Sequence, residues 1–142
     1  MNTAATELIA RAIIRSSDKI LVVRQRGMAW YFLPGGHVEP GEPVETALLR
    51  ELVEEIGVEG EVTRFAGVIE HGYTRDDTAH HEINLVFEVQ IASIDVESRE
   101  DHLEFEWLPI GDLGDTDVRP RALKDALLDG AVTTPIWRSW VR

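Results

Sequence analysis

The chain contains no cysteine in its 142 residues. Disulfides, zinc–thiolate centres and cysteine nucleophiles are therefore excluded. Basic residues are scarce as well: 14 Lys plus Arg stand against 26 Asp plus Glu, a formal net charge of −12. Broad binding to nucleic acid or to an anionic membrane needs a basic face, so neither is expected as a partner. Long apolar runs are also missing. The longest stretch without Asp, Glu, Lys or Arg runs from Gly27 to Val38, far short of the roughly 20 residues that span a bilayer. The opening MNTAATELIA carries Glu7 in its apolar part and has no basic leader. No signal peptide is expected, and the cytoplasm is the expected location.

What is present reads as a single domain over residues 1–142. The apolar share of 44% is that of an ordinary globular chain, and no repeat, low-complexity tract or linker divides it. Leu8 to Ile14 reads as a strand. Lys19 to Arg26 follows the turn-like Ser16-Ser17-Asp18, and the two are expected to be neighbours. Gly27 to Gly36 reads as a loop with an extended piece at Tyr31 to Leu33, broken by Pro34-Gly35-Gly36. Pro43 to Ile56 reads as a helix, with a stripe of Val44, Leu48, Leu52 and Ile56 and a cap at Gly57. Val62 to Glu70 and His81 to Ile91 read as strands. The latter alternates His81, Ile83, Leu85, Phe87 and Val89 against Glu82, Asn84 and Glu88, with Val86 out of pattern. Leu103 to Leu108 is a further strand. Arg119 to Asp129 is a second helix, ended by Gly130. The order of these elements suggests an α/β fold with a mixed sheet between helices.

One feature of the first helix is not explained by packing. Glu51, Glu54 and Glu55 are spaced i, i+3, i+4, which places all three within an arc of roughly 100°. Like charges at this spacing repel by a few tenths of a kcal/mol per pair. Glu55 projects between Val44 and Leu48, at the edge of the buried stripe. Three carboxylates desolvated together shift towards protonation unless a cation joins them. A hard divalent cation such as Mg²⁺, which takes oxygen ligands and keeps waters and phosphates in its shell, meets that need.

The segment around these glutamates is GGHVEPGEPVETALLRELVEEIGV. From Gly36 to Val58 it reads G-x5-E-x7-R-E-U-x-E-E-x-G-U, where U is apolar. At this chain's own Gly, Glu and Arg frequencies a chance match at one start is on the order of one in 10⁸. This is the complete Nudix box, and the chain resembles the Nudix hydrolase family. The flanking WYFLPGG and the element order are similar to the family too. The resemblance implies a Nudix-type α/β/α sandwich with a mixed β-sheet. It also implies hydrolysis of a nucleoside diphosphate linked to another group, with Mg²⁺ or Mn²⁺ as cofactor.

Position by position, the resemblance implies that Glu51, Glu54 and Glu55 hold the metal, helped by the main-chain carbonyl of Gly35. Arg50 would orient the glutamates through Glu54 or Glu42, Gly36 would let the loop approach the helix, and Gly57 would end it. Some members use the first glutamate of the Arg-Glu pair as base, here Glu51. Others use an acid a few residues before a tryptophan, here Glu104, with Glu100 and Asp101 as alternates. Glu51, Glu54 and Glu104 are thus the candidate catalytic residues. Candidate substrate contacts are Arg24, Arg26, His37, Tyr73 and His81, with Trp30 as a further stacking surface. Trp137 and Trp140 suit the core or a homodimer contact better than a ligand.

An intact box favours an enzyme over a nucleotide-sensing module of the same fold. The absence of cysteine removes the isopentenyl diphosphate isomerase branch. No proline lies between Pro43 and Pro109, so the downstream proline associated with ADP-ribose hydrolases is missing. The expected substrate is a small nucleoside tri- or diphosphate. Dinucleoside polyphosphates and ADP-ribose-type nucleotide sugars are the alternatives.

Overall fold

The computed structural model describes residues 2–129 and 134–140. Gly130, the expected helix stop, lies outside them. Eight strands and two α-helices follow in the order β1 (Asn2–Ile13), β2 (Arg15–Ser16), β3 (Lys19–Gln25), β4 (Gly35–His37), α1 (Val44–Ile56), β5 (Gly60–Arg75), β6 (Thr78–Ile91), β7 (Leu103–Pro109), α2 (Arg121–Leu128) and β8 (Ile136–Arg138). A 3₁₀ turn, Ile110–Asp115, precedes α2. Five strands form a mixed sheet in the order β4-β1-β6-β5-β8, and β2-β3-β7 form a second, smaller sheet. No helix among the described residues is long and apolar enough to cross a membrane.

Apolar side chains on the two faces of the large sheet build two core clusters. On one face Ala10, Ala12, Phe87 and Val89 pack with Leu48, Leu52 and Ile56 of α1. On the other, Ile13, Ala66, Ile69 and Val86 pack with Leu113, Leu123 and Ala126 of the 3₁₀ turn and α2. Helices on both faces of a mixed sheet make the α/β/α sandwich that the sequence implied. Strand β3 is buried on both sides. It sends Ile20 and Val22 into one cluster and Leu21 into the other.

Helix α1 sits where the pattern placed it. Pro43 is its N-cap, and Gly57 adopts the left-handed conformation at φ 66° while its N–H donates to the Val53 carbonyl. Only a residue without a Cβ takes that conformation freely. Leu48 and Leu52 are fully buried, each contributing about 1.5–3 kcal/mol of transfer free energy. That anchorage lets the opposite, charged face be held at a fixed depth.

Three readings of the sequence are corrected here. The first two apolar strands are not neighbours: β1 pairs with β4 and β6, and only Arg15–Ser16 pairs with Lys19–Ile20. The apolar pattern marks both as strands but does not choose their partners. Gly35–His37 is not loop but a short strand against β1. The hairpin of β5 and β6 extends well past Glu70 and His81, closing on Asp76 and Asp77 at φ 51° and 59°. Short acidic residues tolerate that turn geometry. Asn84 keeps the sheet face that the alternation gave it, and that face is covered. It is 1% exposed and lies on the same sheet face as Val86, which is covered by the second core cluster.

Candidate active site

The site is assembled where β4 is clamped between β1 and α1. In the register, Gly35 lies opposite Arg11 and Gly36 opposite Ala10. Gly35 has φ 138°, and a Cβ built on it would lie 2.0 Å from the Ala10 carbonyl oxygen. A Cβ on Gly36 would lie 2.8 Å from Cδ of Glu51. The two glycines therefore allow the backbone to pass directly over a carboxylate of the helix. The Gly35 carbonyl and the Glu51 side chain are brought into one neighbourhood by strand register rather than by a free loop.

Arg50 ties the carboxylates to one another. Its Nε and Nη2 donate to the two oxygens of Glu42 at 2.7 and 3.0 Å. Its Nη1 reaches Glu54 at 3.2 Å and Glu51 at 3.4 Å. A bidentate fork of this kind fixes direction as well as distance. The pairing holds Glu42 below the usual carboxylate range and keeps the guanidinium protonated throughout. Glu54, by contrast, keeps about half of its side chain in solvent.

Glu55 and Glu51 behave differently from Glu42. Burial, followed by the charge of Glu51, pushes Glu55 up to about 8, against the weaker opposing pull of Arg11. Glu51 is raised as well, first by burial, and is relieved in part by Arg50. The two carboxyl groups share a hydrogen bond. At neutral pH Glu55 thus carries a proton that it donates to Glu51. That proton stands where a cation would relieve the same repulsion. The donor set is all oxygen, which suits a hard divalent ion. As the side chains stand, no three carboxylate or imidazole groups among the described residues surround one point. Arg50 holds Glu54 to itself.

The acidic segment before Trp107 approaches from the C-terminal end of α1. The backbone N–H of Arg99 donates to the Glu55 carbonyl at 2.7 Å, and the charge of Glu100 is felt at Glu55. Asp101 is exposed in the following turn. Glu104 lies on β7, opposite Arg24 of β3, with which it forms an ion pair at 3.4 Å. Its neighbour Glu106 accepts a 2.6 Å hydrogen bond from the Tyr31 hydroxyl.

The candidate substrate contacts occupy several different surroundings. Arg24 is engaged by Glu104 and lies 5.3 Å from the Tyr31 ring centroid. Arg26 is exposed at the end of β3. His37 is largely exposed, with Glu7 3.4 Å away. Tyr73 stacks on His80 at 4.8 Å and on His71 at 5.2 Å, with the Arg75 guanidinium 5.6 Å from its centroid. Its ring is thus already engaged. His81 is held by Glu70 at 2.7 Å and Thr6 at 3.1 Å. Trp30 packs on Phe32 under the Arg119 guanidinium. Trp137 is 59% exposed on β8, so a core role does not apply to it.

The sequence reading missed Arg11. On β1 it shares a sheet face with Ile9 and Ile13, opposite the alanines that pack on α1. Its Nη1 donates to the Leu33 carbonyl at 3.0 Å, and its guanidinium lies 5.3 Å from the Phe32 centroid. Burial lowers its pKa, while the charges of Glu82, Glu55 and Glu51 oppose that shift. A lone cation inside an apolar strand stripe was the available signal.

The comparisons with known proteins agree with this geometry. The family model for the NUDIX domain matches residues 6–127. An ADP-ribose pyrophosphatase of Methanocaldococcus jannaschii is 32% identical over 104 residues, covering 71% of this chain and 60% of the relative. The mouse diphosphoinositol polyphosphate phosphohydrolase 3-alpha is 31% identical over 102 residues, covering 69% and 58%. The chain therefore spans about three fifths of the length of these relatives. Among solved structures, a MutT NUDIX hydrolase from Burkholderia pseudomallei superposes with a TM-score of 0.72 at 26% identity, covering 90% of this chain and 100% of that one.

Proposed function

The chain belongs to the Nudix family, and on that premise we propose that it is a metal-dependent hydrolase of a phosphoanhydride bond in a small nucleotide. The observation that carries the reading is the half-buried pair Glu51 and Glu55, with Glu51 against the Gly36 backbone. Two carboxylates forced together and into partial burial are destabilising on their own, and a divalent ion removes that cost. Glu51, Glu54 and Glu55, with the Gly35 carbonyl, would hold Mg²⁺ or Mn²⁺. A bound divalent cation neutralises phosphate charge and lowers the pKa of a coordinated water.

The chain's own residues do the rest. Arg50, anchored on Glu42, orients Glu51 and would release Glu54 to an ion. The clamp of β4 between β1 and α1 keeps the Gly35 carbonyl at fixed distance from the carboxylates. A general base must lie within reach of the attacking water. Glu51 and Glu54 belong to the cluster itself. Of the acids outside it, Glu100 lies within the field of Glu55, whereas Glu104 is occupied by Arg24, so Glu100 is the better supported of the two.

The named activities of the relatives include ADP-ribose and diphosphoinositol polyphosphates. All share a phosphoanhydride, which is the part of the substrate that the cluster addresses. A nucleoside tri- or diphosphate remains our first choice, and ADP-ribose is the second. The test is a panel of nucleoside triphosphates, nucleoside diphosphates, ADP-ribose and a diadenosine polyphosphate with Mg²⁺ or Mn²⁺, products resolved by chromatography. Turnover that stops on chelation is expected, and Glu100→Gln should slow it more than Glu104→Gln. Nucleotide binding without turnover of any member would make the protein a sensor instead.

A further inference from the structure

Arg50 and Arg11 both lie near the carboxylate cluster, and they spend their donors differently. Arg50 spends its donors on Glu42, Glu54 and Glu51. Arg11 does not behave in that way. No carboxylate among the described residues comes within ion-pairing distance of it, although Glu82, Glu55 and Glu51 all contribute to its field. Nη1 alone is used, on the Leu33 carbonyl. The Nε and Nη2 groups donate to no described residue. A guanidinium set among protein groups, beside the Phe32 ring and with two donor groups unspent, is pre-organised for an incoming anion.

Its position says which anion. Arg11 faces Gly35 across the β1–β4 register, so it lies on the strand that backs the carbonyl assigned to the metal. It points to the sheet face away from α1, the face that also carries Glu82, buried Asn84 and His71. The charges of Glu55 and Glu51 reach its guanidinium, so an anion held at the cluster lies within its field as well. Resting on the proposed hydrolase reading, we propose that Arg11 binds a substrate phosphate, through its free N–H groups, and positions it against the metal cluster. The competing role is a strut that only holds the Phe32–Leu33 backbone.

The two roles separate in binding measurements. Methylenediphosphonate, a non-hydrolysable diphosphate without a nucleoside, is titrated calorimetrically into the Mn²⁺-loaded protein, and Mn²⁺ alone into the metal-free protein. Arg11→Gln should weaken methylenediphosphonate by about 10- to 100-fold, the range of a lost charge-assisted contact, while Mn²⁺ affinity stays within about twofold. Arg11→Lys keeps the charge but loses the fork, so it should fall between wild type and Arg11→Gln. It carries the test by itself should the glutamine variant fail to fold. Unchanged diphosphonate binding in the variants overturns the proposal, and so does a parallel loss of Mn²⁺ binding, which is the signature of the strut. A wild-type protein that binds Mn²⁺ but not the diphosphonate overturns it as well. Failure of wild type to bind Mn²⁺ overturns the hydrolase reading and this one together.

Discussion

The two helices of the sandwich begin alike and end up doing different things. Each follows a proline, each buries an apolar stripe in one core cluster, and each carries oppositely charged residues four apart on its outer face. On α2 the pair is Arg121 and Asp125, 4.0 Å apart and largely in water. Such a pair is worth little and strains nothing. On α1 the pair is Arg50 and Glu54, but the adjoining row holds Glu51 and Glu55, and the Gly36 backbone closes over Glu51. The difference lies in what covers the charges. An acidic helix face becomes a site where other chain is packed upon it, because only there does repulsion go unscreened.

The strongest way to break that contrast is Glu55→Gln. Turnover should fall by about 100-fold or more, since each lost tenfold corresponds to about 1.4 kcal/mol of transition-state stabilisation and a metal clamp supplies several. The fold should remain. The same variant has an opposite effect on metal-free stability. Glu55 titrates near 8 in the folded protein against an ordinary 4.5, so between those values the folded chain binds more protons than the unfolded one. Chelated wild type should therefore lose stability as pH rises from about 4.5 to about 8. Glu55→Gln should flatten that slope in thermal melts taken in EDTA. Retained turnover, or a slope that survives the substitution, would place the buried charge elsewhere.

A smaller effect is expected from the backbone above the cluster. Gly36→Ala puts a methyl group 2.8 Å from the Glu51 carboxyl carbon, and the side chain must give way. The rate should fall by about 10-fold, as for other changes that misdirect a metal ligand, with little change in melting temperature. Gly114→Ala is the matched control, since nothing lies within 4 Å of its added methyl. Equal effects of the two would mean that Glu51 is not aimed by the glycine. The smallest effect belongs to α2. Asp125→Asn removes the partner of Arg121 and should change neither the rate nor the stability by more than about 0.5 kcal/mol.

Much of the site could be read from the sequence because it is local. The glycines, Arg50 and the three glutamates act through helix period and a short reach, and both are visible in a string. The salt bridge from Arg50 to Glu42 was one of two expected pairings, and both occur. What the string concealed was non-local. Nothing in Leu8 to Ile14 announces that it pairs with β6 rather than with Lys19 to Gln25. Pro34-Gly35-Gly36 reads as a break, yet an edge strand tolerates it when β1 supplies the partner groups. The hairpin tip from His71 to His80 is polar on both sides and lacks alternation, so pattern ended where the strands did not. Arg11 showed only as a lone cation in an apolar strand: its meaning depends on Gly35, Phe32 and Glu82, which are far from it in sequence.

The shared proton changes how this protein would move in an electric field. The formal count of −12 assumes that every carboxyl group is ionised. With Glu55 titrating at about 8, one proton is retained at neutral pH and the metal-free molecule carries about −11, that is, −12 plus one. On the proposed reading a first divalent ion would expel that proton, so the net change would be one charge and not two. Native electrophoresis or an unbuffered titration would therefore see metal uptake at half its face value, with the missing half appearing as acid in the medium.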